Sequence, residues 1–154
     1  MFRPLLAAAA LLAAAACSPD AQPEPQAAGP AAVYAVTNGW VRNPPAGRDV
    51  SAGFITVTAD GADGRLVDAA SPAAGRIELH TMEMDDDIMR MRRVEGINIP
   101  AGGEAVLAPG GDHLMLFEID RAQFETGEIS VELSFADGQA LTVSLPVLDR
   151  APGH

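Results

Sequence analysis

Apart from Met1, every methionine of the chain falls between positions 82 and 115: Met82, Met84, Met89, Met91 and Met115. His80 and His113 bracket the same window. Thioether sulfur is a soft, neutral donor, and with imidazole it suits Cu(I) far better than zinc, calcium or magnesium. Strand parity decides whether these groups can meet. In Ile77-Glu78-Leu79-His80 the apolar pair Ile77 and Leu79 turns inward, which sends His80 to the other face, with Met82 and Met84 beside it if the strand continues. Met89 and Met91 share a face, as do His113 and Met115. A sheet joining these segments gathers two imidazoles and at least two thioethers. The plainer alternative, a pliable hydrophobic patch of methionines with two surface histidines, sits poorly with that parity.

The rest of the composition narrows the chemistry. The lone cysteine, Cys17, precedes the folded part, which therefore has no disulfide, thiolate ligand or cysteine nucleophile. A blue-copper electron-transfer site needs such a thiolate, and a catalytic zinc site of the His-Glu-x-x-His kind has no counterpart here. Asp85-Asp86-Asp87 lacks EF-hand spacing and reads as a solvated turn. No nucleophile or acid–base pair stands out, so the chain does not read as an enzyme. The formal charge is −11, from 21 acidic residues against 10 basic ones, all arginine. A nucleic-acid binder needs a basic footprint, and that class is excluded.

The elements that must position these residues read as all-β. Apolar residues alternate with polar ones in short runs, such as Val131-Leu133-Phe135 and Leu141-Val143-Leu145-Val147, the latter two joined across Asp137-Gly138, a hairpin-turn pair. Asn43-Pro44-Pro45-Ala46-Gly47, Asp60-Gly61 and Pro109-Gly110-Gly111 are further turn signals. Only Asp120 to Glu125 has helical character. Seven to nine short strands in about 115 residues predict an antiparallel sandwich or barrel. Phe54, Leu79, Leu116, Leu133 and Leu145 are expected in its core, with Trp40 and Arg42 as structural residues.

Ahead of this domain, residues 1–16 read as an export signal: Arg3, then an uncharged apolar run too short to span a bilayer. The run ends at Cys17 in a pattern resembling a bacterial lipoprotein signal, with Cys17 as the lipidated residue. Ala14 stands where a branched aliphatic residue is usual, and plain cleavage at an Ala-x-Ala site is the alternative. Residues 17–32, with Pro19, Pro23, Pro25 and Pro30, read as a tether reaching up to about 45 Å. The domain is expected over 33–150, followed by a short tail, 151–154. The chain is then expected in the periplasm, meeting the membrane only through a lipid anchor.

His80, ten residues, Met91, twenty-one residues, His113, one residue, Met115 follows the H-x10-M-x21-H-x-M pattern of the periplasmic copper chaperone family PCu(A)C. Asn38-Gly39-Trp40-Val41-Arg42, Ser71 to His80, Met89-Arg90-Met91-Arg92, Ile99 to Gly103 and Pro109 to Leu116 resemble that family too, so the resemblance runs from about Asn38 to Val147. It implies a cupredoxin-like Greek-key β-sandwich holding one copper ion as Cu(I) through His80, Met91, His113 and Met115. It also implies delivery of copper to the binuclear centre of cytochrome c oxidase subunit II, alongside a Sco-type thiol protein, by a monomer. Met82 and Met84 are then exposed or packing residues, with a part in copper capture or transfer as the alternative, and Met89 packs beside the site. Two departures stand out: Asp87 occupies a position where the family commonly has glycine before Ile88-Met89, and the chain has no His- and Met-rich extension before His154. A copper-sequestering protein and a metal-free structural lipoprotein are the competing readings. Imidazole binds metal only when unprotonated, so the first of these readings and chaperoning alike predict weaker binding as pH falls through about 6.5.

Overall fold

The computed structural model describes residues 31–152. The expected export signal, Cys17, most of the expected tether and the last two residues of the tail lie outside them. The described chain forms ten strands and one helical turn: β1 Val33–Arg42, β2 Val50–Asp60, β3 Gly64–Ala70, β4 Ala74–Asp85, β5 Ile88–Arg93, β6 Ile97–Ile99, β7 Gly103–Leu107, β8 His113–Ile119, α1 Arg121–Phe124, β9 Glu128–Phe135 and β10 Ala140–Leu148. The helical turn falls where Asp120 to Glu125 predicts it, and the Asp120 carboxylate caps it by accepting from the Ala122 N–H at 3.0 Å.

Hydrogen bonding runs β5-β4-β8-β2-β1-β10-β9-β3-β6, with β7 added to β2. Every strand pair is antiparallel except β1 with β10, where the two layers join in parallel. The chain crosses repeatedly between the layers, and their inner faces share one core. Leu79, Leu114 and Leu116 come from one layer, and Leu66, Ile99, Val131 and Leu133 from the other. The molecule is a β-sandwich, as the period-two runs require. The Asp-Gly hairpin also forms: Leu141 pairs Leu133, Gly138 takes a φ of 86°, and the Asp137 carboxylate accepts the Gln139 N–H at 3.0 Å.

Two local devices set the geometry around the site. A bulge at Asn38-Gly39, with Asn38 at φ 51°, shifts the β1–β2 register between Thr37 and Trp40. Beyond it Trp40 pairs Phe54, and their rings lie 4.7 Å apart. Phe54 is buried as expected, yet it stands outside the inter-layer core, packed on Trp40 on the outer face of β2. The other device is the β4–β5 turn. Asp86 and Asp87 both take left-handed conformations, φ 48° and 62°, as a two-residue hairpin turn of the I′ kind demands. Asp87 thus adopts the left-handed backbone that a glycine would take there without strain.

At the opposite end, Tyr34 stacks on Phe135 and donates to Asp137 at 2.9 Å. Burial, then the hydrogen bond to Asp137 and its negative charge, push the phenol up to about 12 from 10.0. The folded chain keeps this proton where the unfolded chain loses it, so stability is intact below pH 10 and falls as pH rises from 10 toward 12. The chain has one tyrosine and no lysine, so little else titrates in this window. Urea unfolding at stepped pH is expected to show that decline in the parent and to lose it in Tyr34→Phe.

Candidate metal site

β4 and β8 pair so that Ile77 faces Leu116 and Leu79 faces Leu114 toward the core. The alternate residues, Glu78, His80 and Met82 on β4 and His113, Met115 and Phe117 on β8, share the outer face. In register, His80 sits opposite His113, and Glu78 opposite Met115. β5 adds Met91 opposite Met82 and Arg93 opposite His80. Rows of side chains therefore cross the sheet. One runs Trp40, Phe54, His113, His80, Arg93, and Met82 with Met91 stands next to it on the hairpin side.

Opposite that methionine pair, Ala108-Pro109-Gly110-Gly111 closes a turn, with Gly110 at φ 86° and the Gly111 N–H bonded to the Ala108 carbonyl at 3.0 Å. The turn aims the Gly111 carbonyl at His113, whose Nδ1–H donates to it at 2.9 Å. That bond fixes the tautomer and leaves the Nε2 lone pair available. A cavity of about 320 Å³ opens between turn, hairpin and sheet, lined in part by Arg42, Phe54, Met82, Met91, His113 and Met115. His113 is 4% exposed, and Phe54 lies 6.4 Å from it, ring to ring.

His80 is positioned differently. It does not line the cavity; its ring stands 5.8 Å from that of His113 and 6.2 Å from Phe117. Its Nε2–H donates to the Glu78 carboxylate at 2.9 Å. The hydrogen bond from His80 holds the Glu78 carboxyl below the usual carboxylate range, and Arg76 and Arg93 add to the effect. With Nε2 committed, the lone pair lies on Nδ1. That atom is buried and has no hydrogen-bond partner, the one such side-chain nitrogen or oxygen among the described residues. A buried, unsatisfied acceptor costs about 1–3 kcal/mol unless something occupies it.

A metal ion would occupy it. Two imidazoles sharing one ion, each about 2 Å from the metal, have centroids about 5–6 Å apart, the value rising with the angle between them. The His80–His113 separation matches that spacing. Met91 and Met115 flank the pair from β5 and β8, Met91 being 47% exposed and Met115 half-buried. Among the described residues no three His, Cys, Asp or Glu side chains cluster as a harder-donor site. The donors gathered here are two imidazoles and thioethers, a set that fits a soft ion.

The four residues singled out by spacing are thus brought to one face: Met91, His113 and Met115 line the cavity together with Met82, and His80 stands beside His113 outside that lining. Met89 does not pack beside the site. It is 50% exposed and pairs with Met84 one step further out on the hairpin. Arg42, expected only as a structural residue, is exposed at the cavity's edge. Glu78 and Phe54 escaped notice as site residues. Glu78 could have been found, because it lies two positions before His80 and so on the same face. Asp85-Asp86-Asp87 is the solvated turn its spacing suggests.

The fold is that of known copper-domain structures. The copper-bound PCuAC domain from PmoF2 superposes with a TM-score of 0.63 at 19% identity, covering 76% of this chain and 93% of that one. The solution structure of CuI-DR1885 from Deinococcus radiodurans gives 0.59 at 29% identity, covering 87% and 89%. In sequence, a protein of Leifsonia xyli subsp. xyli named "Putative lipoprotein Lxx21020" is 36% identical over 116 residues, 74% of this chain and 69% of its own length. Residues 34–147 match the family described as "Putative lipoprotein LpqE-like". Over nearly the whole sandwich, candidate site included, the chain belongs to the LpqE-like family.

Proposed function

We propose that this chain is an exported Cu(I)-binding metallochaperone, lipid-anchored through Cys17, that delivers copper to the binuclear centre of cytochrome c oxidase subunit II. The observation that carries the copper reading is the pair of available imidazole lone pairs, on buried Nδ1 of His80 and Nε2 of His113, flanked by the thioethers of Met91 and Met115. Copper in the similar PmoF2 and DR1885 structures supports it. Copper here is cargo. A neutral His/Met set holds Cu(I) without a thiolate, survives an oxidising compartment and yields to an acceptor that offers thiolates, which are stronger soft donors. The cavity and the exposed Met91 leave one side open for such an exchange.

Glu78 acts through His80, holding its ring and tautomer without touching the ion. Glu78→Leu is expected to weaken Cu(I) binding about 10- to 100-fold, as loss of an outer-sphere partner does elsewhere. A competition titration with a chromogenic Cu(I) chelator measures it. Delivery itself is tested by mixing the Cu(I)-loaded chain with an apo subunit II domain and separating the two. Copper recovered on the acceptor supports a chaperone. Copper retained through repeated exchange points instead to sequestration.

A further inference from the structure

The β4–β5 hairpin carries a second pair of thioethers that the site above does not use. In register, Met82 faces Met91 and, one rung nearer the turn, Met84 faces Met89. Parity puts all four methionines on the face that carries His80 and His113. The opposite face of the hairpin is ionic: Arg90 meets Asp85 at 3.2 Å, and Arg92 meets Glu83. Met84 is 65% and Met89 50% exposed, so burial does not account for them. Methionine is not among the residues enriched in strands, so propensity does not account for them either.

We propose that Met84 and Met89 form a second, weaker soft-metal site at the hairpin tip, taking Cu(I) or Ag(I). Opposed residues on one face have Cβ atoms about 5 Å apart, and methionine's three rotatable bonds let both sulfurs turn onto one ion. Two neutral thioethers bind more weakly than two imidazoles with two thioethers. Asp86 and Asp87, in no ion pair of the described residues, add negative potential at the tip that favours a cation. The next rung, Met82 with Met91, lies about 7 Å along the strands and borders the first site. The inference rests on the copper reading.

The test is Ag(I) titration of the full chain carrying Cys17→Ser, so that no thiolate competes, with the methionine methyl groups labelled with carbon-13. Single Met→Leu variants assign the signals. The first equivalent is expected to shift the Met91 and Met115 methyls, and the second those of Met84 and Met89. In Met84→Leu/Met89→Leu the second step is lost and the first kept. A first equivalent that binds, followed by Met84 and Met89 signals unmoved to excess Ag(I), overturns the second site and leaves the copper reading intact. Methyls of Met91 and Met115 that never move overturn both.

Discussion

Replacing His80 and His113 together by alanine is expected to weaken Cu(I) binding by at least about 100-fold, more than loss of an outer-sphere partner costs. Each histidine supplies a lone pair left available by a specific bond at its other nitrogen, to Glu78 in one case and to the Gly111 carbonyl in the other. The thioethers that remain are soft but neutral and, in the case of Met91, half in solvent. Removing His113 also strands the Gly111 carbonyl, at a cost of about 1–3 kcal/mol, which a domain of ordinary stability tolerates. The variant should therefore unfold cooperatively and still lose copper in an anaerobic competition titration. Affinity unchanged from the parent, in a folded variant, would remove both histidines from the site.

The largest effect on folding is expected one residue from a candidate ligand. Leu116 is fully buried, faces Ile77 across β4 and Ser51 across β2, and belongs to the inter-layer core. Leu116→Ala leaves a cavity between two packed sheets and should cost about 3–5 kcal/mol. That is a large share of a stability of about 5–15 kcal/mol. Met115, its neighbour, points to the other face. Met115→Leu conserves volume and should cost less than about 1.5 kcal/mol, yet it removes a donor sulfur. Urea unfolding and Cu(I) titration of the two variants should give opposite rankings. A Leu116→Ala midpoint equal to the parent's would show that β8 packs in the other register.

That contrast also shows how far the sequence could be read. Because one face of β4 and β8 is buried, a slip of one residue would expose Leu79 and Leu116. The alternation therefore states plainly which side chains turn outward, and His80, His113 and Met115 were legible on that ground. Their grouping was not legible from alternation, since it depends on His80 meeting His113 across two strands 33 residues apart. Spacing resemblance supplied what local pattern could not. The bulge at Asn38-Gly39, which sets Trp40 against Phe54, and the parallel β1–β10 joint arise from long-range pairing and leave no local periodicity. Met89 was misplaced because parity gives its face and not its rung: the turn at Asp86-Asp87 sets the hairpin register that puts it opposite Met84.

The central claim, one Cu(I) held by two imidazoles and two thioethers, is tested most directly by X-ray absorption at the copper edge. The sample is the Cys17→Ser chain loaded anaerobically with one equivalent. The predicted first shell has two nitrogens at about 2 Å and two sulfurs farther out, with the sulfur contribution reduced in Met115→Leu. A shell of nitrogen and oxygen alone, or one that Met115→Leu leaves unaltered, would contradict it.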